Sequence, residues 1–214
     1  MINYQVVSHK DACICLFENK FSSDELLREF EHAGLYSHEL DNLKTENRKK
    51  EFLGLRLALK HCLKGEEKAI GHTQKGKPVL EDKSYNISFS HCRGWIAVIT
   101  HRGLEVGIDI ENPTQKLNSL YKRFLCEEEL QEYLKDENFD YLRIIWSAKE
   151  ALYKIIGDEA VNFKNQLHIL PFRVEREGDI TGIHNPTGRT YDIHYQLTDS
   201  YTLAWCIDQK NRQQ

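Results

Sequence analysis

Asp109 and Glu111 end an apolar run, Val106-Gly107-Ile108-Asp109-Ile110-Glu111. In a strand, side chains alternate faces, so the two carboxylates point one way while Ile108 and Ile110 point into a core. Their Cα atoms then sit roughly 6.6 Å apart, two strand rises. Such a pair can share a hard cation, since Mg²⁺ takes one or two protein carboxylates and completes its shell with water and phosphate oxygens. The other reading is a solvated strand end with two surface acids. From these six residues alone that reading is the commoner one, because short motifs match by chance.

A second group lies on a helical stretch from Asp140 to Ile156, with Asp140 as N-cap and Gly157 as the stop. Ile144, Ala148, Leu152 and Ile155 make its buried stripe, while Glu150 and Lys154 share another face at i and i+4, flanked by Lys149. That pair reads either as a surface ion pair worth about 0.2–0.5 kcal/mol, or as a third metal carboxylate followed by a cation for a leaving phosphate. Basic residues come earlier. Arg48, Lys49 and Arg56 lie on a helical stretch whose apolar stripe is Phe52, Leu55 and Leu59, and Lys49 and Arg56 nearly superimpose down its axis. Such a face binds phosphate or is simply solvated. Gly76-Lys77-Pro78 marks a turn carrying a cation, and His91 stands at a strand end beside a glycine turn.

The elements that must position these groups follow from the pattern. Strands are expected at Tyr4–Val7 and Ala12–Phe17, a capped helix from Ser22 through Phe30, and one long helix from Ser37 to about Leu63. Tyr85–Ser90, Trp95–Thr100 and Leu104–Ile110 are close enough in sequence to predict a three-stranded antiparallel meander. Helices follow at Leu117–Phe124 and Glu127–Lys135, then strands at His168–Glu175, Thr190–Leu197 and Tyr201–Ile207. Strands and helices recur in both halves, which permits two lobes meeting near residue 108.

Composition narrows the class. The chain has 214 residues, 40% hydrophobic and 29% charged, as in an ordinary globular protein. A net charge of −4 argues against general nucleic-acid binding. Cys13, Cys15, Cys62, Cys92, Cys126 and Cys206 show neither C-x-x-C nor paired spacing, so they read as reduced thiols of a cytoplasmic protein. Cys13 and Cys15 share a strand face and read as core. No basic region followed by an apolar run opens the sequence, and no apolar stretch is long enough for a bilayer, so neither secretion nor membrane insertion is expected.

Gly76-Lys77-Pro78, Ser88-Phe89-Ser90-His91, Val106-Gly107-Ile108-Asp109-Ile110-Glu111 and Trp146-Ser147-Ala148-Lys149-Glu150-Ala151-Leu152-Tyr153-Lys154 occur in an order and spacing that resembles the 4′-phosphopantetheinyl transferase superfamily, and the length is similar to its Sfp-type branch. The acid pair followed about forty residues later by Trp-x-x-Lys-Glu-x-x-x-Lys is the specific part. The resemblance implies an α+β fold of two similar, pseudo-twofold-related lobes, each an antiparallel sheet with packed helices, spanning residues 1–108 and 109–214. It implies transfer of the phosphopantetheine arm of coenzyme A to a serine of an apo acyl or peptidyl carrier protein, releasing 3′,5′-ADP, with Mg²⁺ as cofactor. It assigns Asp109, Glu111 and Glu150 to the metal, and Glu150 and Lys154 to catalysis. Arg48, Arg56, Lys77, Ser90, His91, Lys149 and Lys154 fall to coenzyme A, with Arg56 and His91 the better phosphate contacts. Phe124 and the helix from Glu127 correspond to the region near the carrier protein. The two-lobed plan implies a monomer, and charge and hydropathy imply that it takes neither nucleic acid nor membrane as partner.

Two departures stand out. Ser88 replaces an Asn, and Cys92 a Ser, that the family often has; both touch how His91 is held and neither removes a group the chemistry needs. Two rival functions remain at this level: a non-catalytic module that binds coenzyme A or a carrier protein, and a Mg²⁺-dependent hydrolase of the coenzyme A diphosphate. The first is disfavoured by the presence of all three acids and Lys154.

Overall fold

Among the described residues, nine strands and helices and one 3₁₀ turn precede the acid-bearing strand. They are β1 (Gln5–His9), β2 (Ala12–Glu18), α1 (Ser23–Leu27), α2 (Ser37–Asn42), α3 (Glu46–Cys62), β3 (Ile70–His72), β4 (Pro78–Leu80), β5 (Asn86–Cys92) and β6 (Trp95–His101), with a 3₁₀ turn at Ala33–Tyr36 between α1 and α2. After them come β7 (Val106–Glu111), α4 (Leu117–Phe124), α5 (Glu127–Tyr133), α6 (Phe139–Ile156), α7 (Phe163–Gln166), β8 (Leu167–Ile169), β9 (Glu177–His184), β10 (Arg189–Leu197) and β11 (Thr202–Ile207). The structure, a computed structural model, describes residues 2–157 and 161–208. It divides into two units, Met1–Gly103 and Leu104–Gln214.

In the first unit the sheet order is β1-β2-β6-β5, antiparallel throughout, with β3-β4 as a separate hairpin. The β1–β2 hairpin turns through Lys10 and Asp11, both at positive φ, as a two-residue turn that follows the strand twist requires. α3 packs Leu53, Leu57 and Ala58 against Cys15, Phe17, Ile96 and Val98 of the sheet. Its N-cap is Thr45, whose side chain accepts from the Arg48 N–H. The single long helix expected from Ser37 is therefore two helices, because residues 43–45 leave the helix to supply that cap.

In the second unit the order is β7-β11-β10-β9-β8, again all antiparallel. The expected three-stranded meander stops at two strands. Both edges of β6 are already taken, by β5 and β2, so β7 pairs instead with β11. The whole of β7 thus belongs to the second unit, and the boundary lies at residues 103/104 rather than 108/109. α6 lies on this sheet with Ile144, Ala148, Leu152 and Ile155 buried as expected. Asn138, not Asp140, caps it, accepting from the Asp140 and Tyr141 N–H groups, and Gly157 ends it in the left-handed region. Each unit is α+β, an antiparallel sheet crossed by one long helix. Among the described residues no helix is long and apolar enough to cross a membrane.

Candidate functional site

The close approach of β7 and α6 makes the site. At Gly107 an added Cβ would lie 2.0 Å from the Ala151 carbonyl oxygen and 3.0 Å from Ile155, so only glycine lets strand and helix come this near. Gly107, Asp109 and Glu111 share the strand face that meets α6, while Ile108 and Ile110 are fully buried on the opposite face. From α6, residues 146, 150 and 154 follow one another at i+4 spacing, so Trp146, Glu150 and Lys154 form one row. Trp146 Nε1 donates to Glu111 at 3.4 Å. Lys154 Nζ donates to Asp109 Oδ1 at 2.9 Å and to the Ile108 carbonyl at 2.7 Å. Strand and helix therefore run in opposite directions across the site.

Glu150 sits between these two contacts and carries the largest perturbation. Burial first, and then the Asp109 charge, push its carboxyl up to about 7, with Glu111 adding to the rise and Lys154 opposing it. Glu111 is raised too, by burial and then by Asp109, against a lowering hydrogen bond from Trp146. Three carboxylates thus repel one another around a single ammonium. Their oxygens do not all approach within 4.8 Å: among the described residues only Cys126, Glu129 and His168 bring three such ligand atoms that close. That tighter trio is not a metal seat, because Glu129 already accepts from Lys149, Ile169 N–H and Cys126 N–H. The acid row is the better match for a divalent cation. It offers hard oxygen donors only, and a cation offsets the repulsion that adds to the effect of burial on Glu150 and Glu111. Beside Glu150 opens a cavity of about 510 Å³, whose walls include Phe124, Trp146, Tyr153, Val161 and Phe163.

Lys149 corrects an expectation. Taken for a coenzyme A contact, it is fully buried, 2.6 Å from Glu129, and donates also to the carbonyls of Phe124 at 2.8 Å and Phe163 at 3.0 Å. All three of its protons are used inside the unit, so none is left for a phosphate. It ties α6 to α5 and to two walls of the cavity.

The basic residues lie in the first unit. Arg48 Nη1 is 3.2 Å from one oxygen of Glu51, and His91 Nδ1 is 3.8 Å from the other, so Glu51 draws the start of α3 and the end of β5 together. Arg56 is buried to 8% exposure, its guanidinium over the rings of Phe52 and Tyr36 and its Nη2 3.7 Å from Glu39. Burial lowers its pKa to about 10, against the pull of Glu39. Its buried Nε has no hydrogen-bond partner among the described residues. Ser90 is buried on β5 opposite Ala97, and Lys77 precedes β4 with its N–H bonded to Thr73 Oγ1. Sequence reasoning missed Gly107, Glu129 and the indole of Trp146. A glycine inside an otherwise apolar strand was the available signal for the first, and the Cys126-to-Glu129 capping spacing for the second.

Residues 105–206, which hold β7 and α6, match the family model of the 4′-phosphopantetheinyl transferase superfamily. Through this segment the chain is similar to that superfamily. Among curated relatives, 4′-phosphopantetheinyl transferase Sfp of Bacillus subtilis (strain 168) is 29% identical over 136 residues, 60% of this chain and 57% of the relative. A second 4′-phosphopantetheinyl transferase of Bacillus subtilis is 31% identical over 150 residues, 64% of this chain and 62% of its own length. 4′-phosphopantetheinyl transferase HetI of Nostoc sp. (strain PCC 7120) is 37% identical over 98 residues, 41% and 40% of the two chains. The chain thus spans less than two thirds of the length of these relatives. The observed α+β architecture of antiparallel sheets and helices is consistent with the superfamily fold.

Proposed function

We propose that this chain transfers the 4′-phosphopantetheine arm of coenzyme A to a serine of an apo acyl or peptidyl carrier protein, releasing 3′,5′-ADP. The observation that carries the reading is the row on β7 and α6, with a half-buried Glu150 between Asp109 and Glu111 and Lys154 at its end. The relatives named above bear the same activity in their names.

Asp109, Glu111 and Glu150 would hold Mg²⁺, which when bound neutralises charge on the diphosphate of coenzyme A. In the transfer a bond forms between the serine Oγ and the phosphorus of the arm, and the diphosphate bridge breaks on the far side. Glu150 accepts the serine proton, a role suited to a carboxylate whose proton affinity burial has raised toward neutrality. Lys154 spends two of its N–H groups on Asp109 and Ile108, and the third faces the leaving phosphate oxygen as charge develops there. Arg48, Arg56 and His91 supply cationic or N–H donors for the phosphates of the nucleotide; Lys77 and Ser90 complete that set. The cavity at Glu150 gives the carrier serine and the pantetheine arm an apolar approach. The reading extends to a monomer in the cytoplasm, in keeping with six free thiols.

The test is the intact mass of an apo carrier protein incubated with coenzyme A, Mg²⁺ and this chain, beside an Asp109→Ala variant and a chelated control. A gain of one phosphopantetheine that disappears in both controls is expected. Release of 3′,5′-ADP without any carrier would instead identify a hydrolase, and retained coenzyme A binding without gain on several apo carriers a binding module.

A further inference from the structure

Cys13 and Cys62 take no part in the chemistry above, yet the fold sets them against each other. Cys13 is half-buried near the start of β2, and Cys62 is the last residue of α3, 6% exposed. The Cys62 thiol donates to the Cys13 carbonyl at 3.5 Å and lies 4.0 Å from the Val98 carbonyl. The Cys62 thiol thus lies directly against the Cys13 residue. Thr100 lies directly across the ladder from Cys13 on β6. Cys15 shares the strand face of Cys13 but is wholly buried.

We propose that Cys13 is an oxidant-reactive thiol and Cys62 its resolving partner, so that hydrogen peroxide converts the pair to a disulfide that ties the end of α3 to β2. The Cys13 thiolate attacks one peroxide oxygen, the O–O bond breaks, and hydroxide leaves, giving a sulfenic acid. The Cys62 sulfur then attacks that sulfur, the S–O bond breaks, and the Cys62 proton leaves with the hydroxyl as water. Two electrons pass from the two sulfurs to one peroxide.

The local chemistry separates the three thiols. The neighbouring Cys62 side chain is the main reason that Cys13 is lowered to about 7, with burial opposing and the Lys64 charge assisting. Burial pushes Cys15 up to about 12. Hence Cys13 is the accessible thiolate, Cys62 the protonated neighbour already in contact, and Cys15 a core residue. Two residues along one strand, Cys13 and Cys15 are held with their side chains parallel, which disfavours a bridge between them.

The experiment needs no variant at first. Reduced chain is exposed to stoichiometric peroxide at pH 7.5, alkylated, and mapped by peptide mass under non-reducing conditions. The expected product is a Cys13–Cys62 cross-linked peptide in a chain lighter by two hydrogens. In separate iodoacetamide labelling, Cys13 should react about ten-fold faster than the partly exposed Cys92 and Cys126. Cys62→Ser, which keeps a donor beside Cys13 but cannot form a disulfide, should leave the sulfenic acid on Cys13 to be trapped by dimedone, and Cys15→Ala should change nothing. A Cys13–Cys15 bridge, absence of any bridge, or labelling of Cys13 no faster than Cys92 would overturn the proposal. None of these outcomes depends on the transferase reading.

Discussion

Replacing Lys149 by Met keeps most of its aliphatic stem and removes only the ammonium. Glu129, 1% exposed at its side chain, would then hold a buried charge with two backbone N–H donors left, from Ile169 and Cys126. Breaking a buried pair from one side costs about 3–5 kcal/mol, because the remaining charge is uncompensated. For a chain of this length that is a fall in melting temperature of roughly 6–20 °C. Adding Glu129→Gln to Lys149→Met removes the stranded charge while keeping an acceptor for the Ile169 N–H, so the double variant should recover more than half of the loss. Urea unfolding at pH 7.5, followed by tryptophan fluorescence, measures all three chains. A single variant within about 1 kcal/mol of the parent, or a double variant no better than the single, would refute the assignment of Lys149 as an internal tether.

Two further outcomes follow from the acid row. A carboxyl whose folded pKa exceeds its unfolded value favours the folded state as pH falls through the interval between them; with Glu150 at about 7 against 4.5, metal-free chain should lose up to about 3 kcal/mol between pH 5 and pH 8. Thermal melts with Mg²⁺ present should flatten that slope, and an unchanged slope would exclude the row as the metal seat. At the close approach, Gly107→Ala should cost about 1–3 kcal/mol or more in urea midpoint, because backbone rather than a yielding side chain blocks the new methyl; an unaltered midpoint would mean that β7 and α6 are free to part.

Helix α6 was legible because its stripe, its stop at Gly157 and its chemistry are all local: Ile144, Ala148, Leu152 and Ile155 are buried where a 3.6-residue period puts them. Strand β7 was legible as a strand but not as a member of its sheet. Its partner β11 lies about a hundred residues on, and nothing in the letters says that β2 has already taken the edge of β6. β9 was missed, and its residues 177–184 were left between expected strands. Gly178 and Gly182 weaken its pattern, although Gly182 is there because a Cβ would meet Leu152 at 2.5 Å. Lys149 was misplaced for a related reason. A lysine's burial depends on a counter-charge, and Glu129 reaches it from a different helix.

The contact between Gly107 and Ala151 also shapes how this chain tolerates change. A comprehensive substitution scan scored on activity would rank position 107 beside 109, 111 and 150, as though all four did chemistry. Scored on cellular abundance, the profiles would part. Position 107 would remain intolerant for want of room, whereas neutral replacements at 150 relieve repulsion and would leave abundance level or raise it. Two such profiles read side by side would distinguish the residues that act from the one whose missing side chain lets them meet.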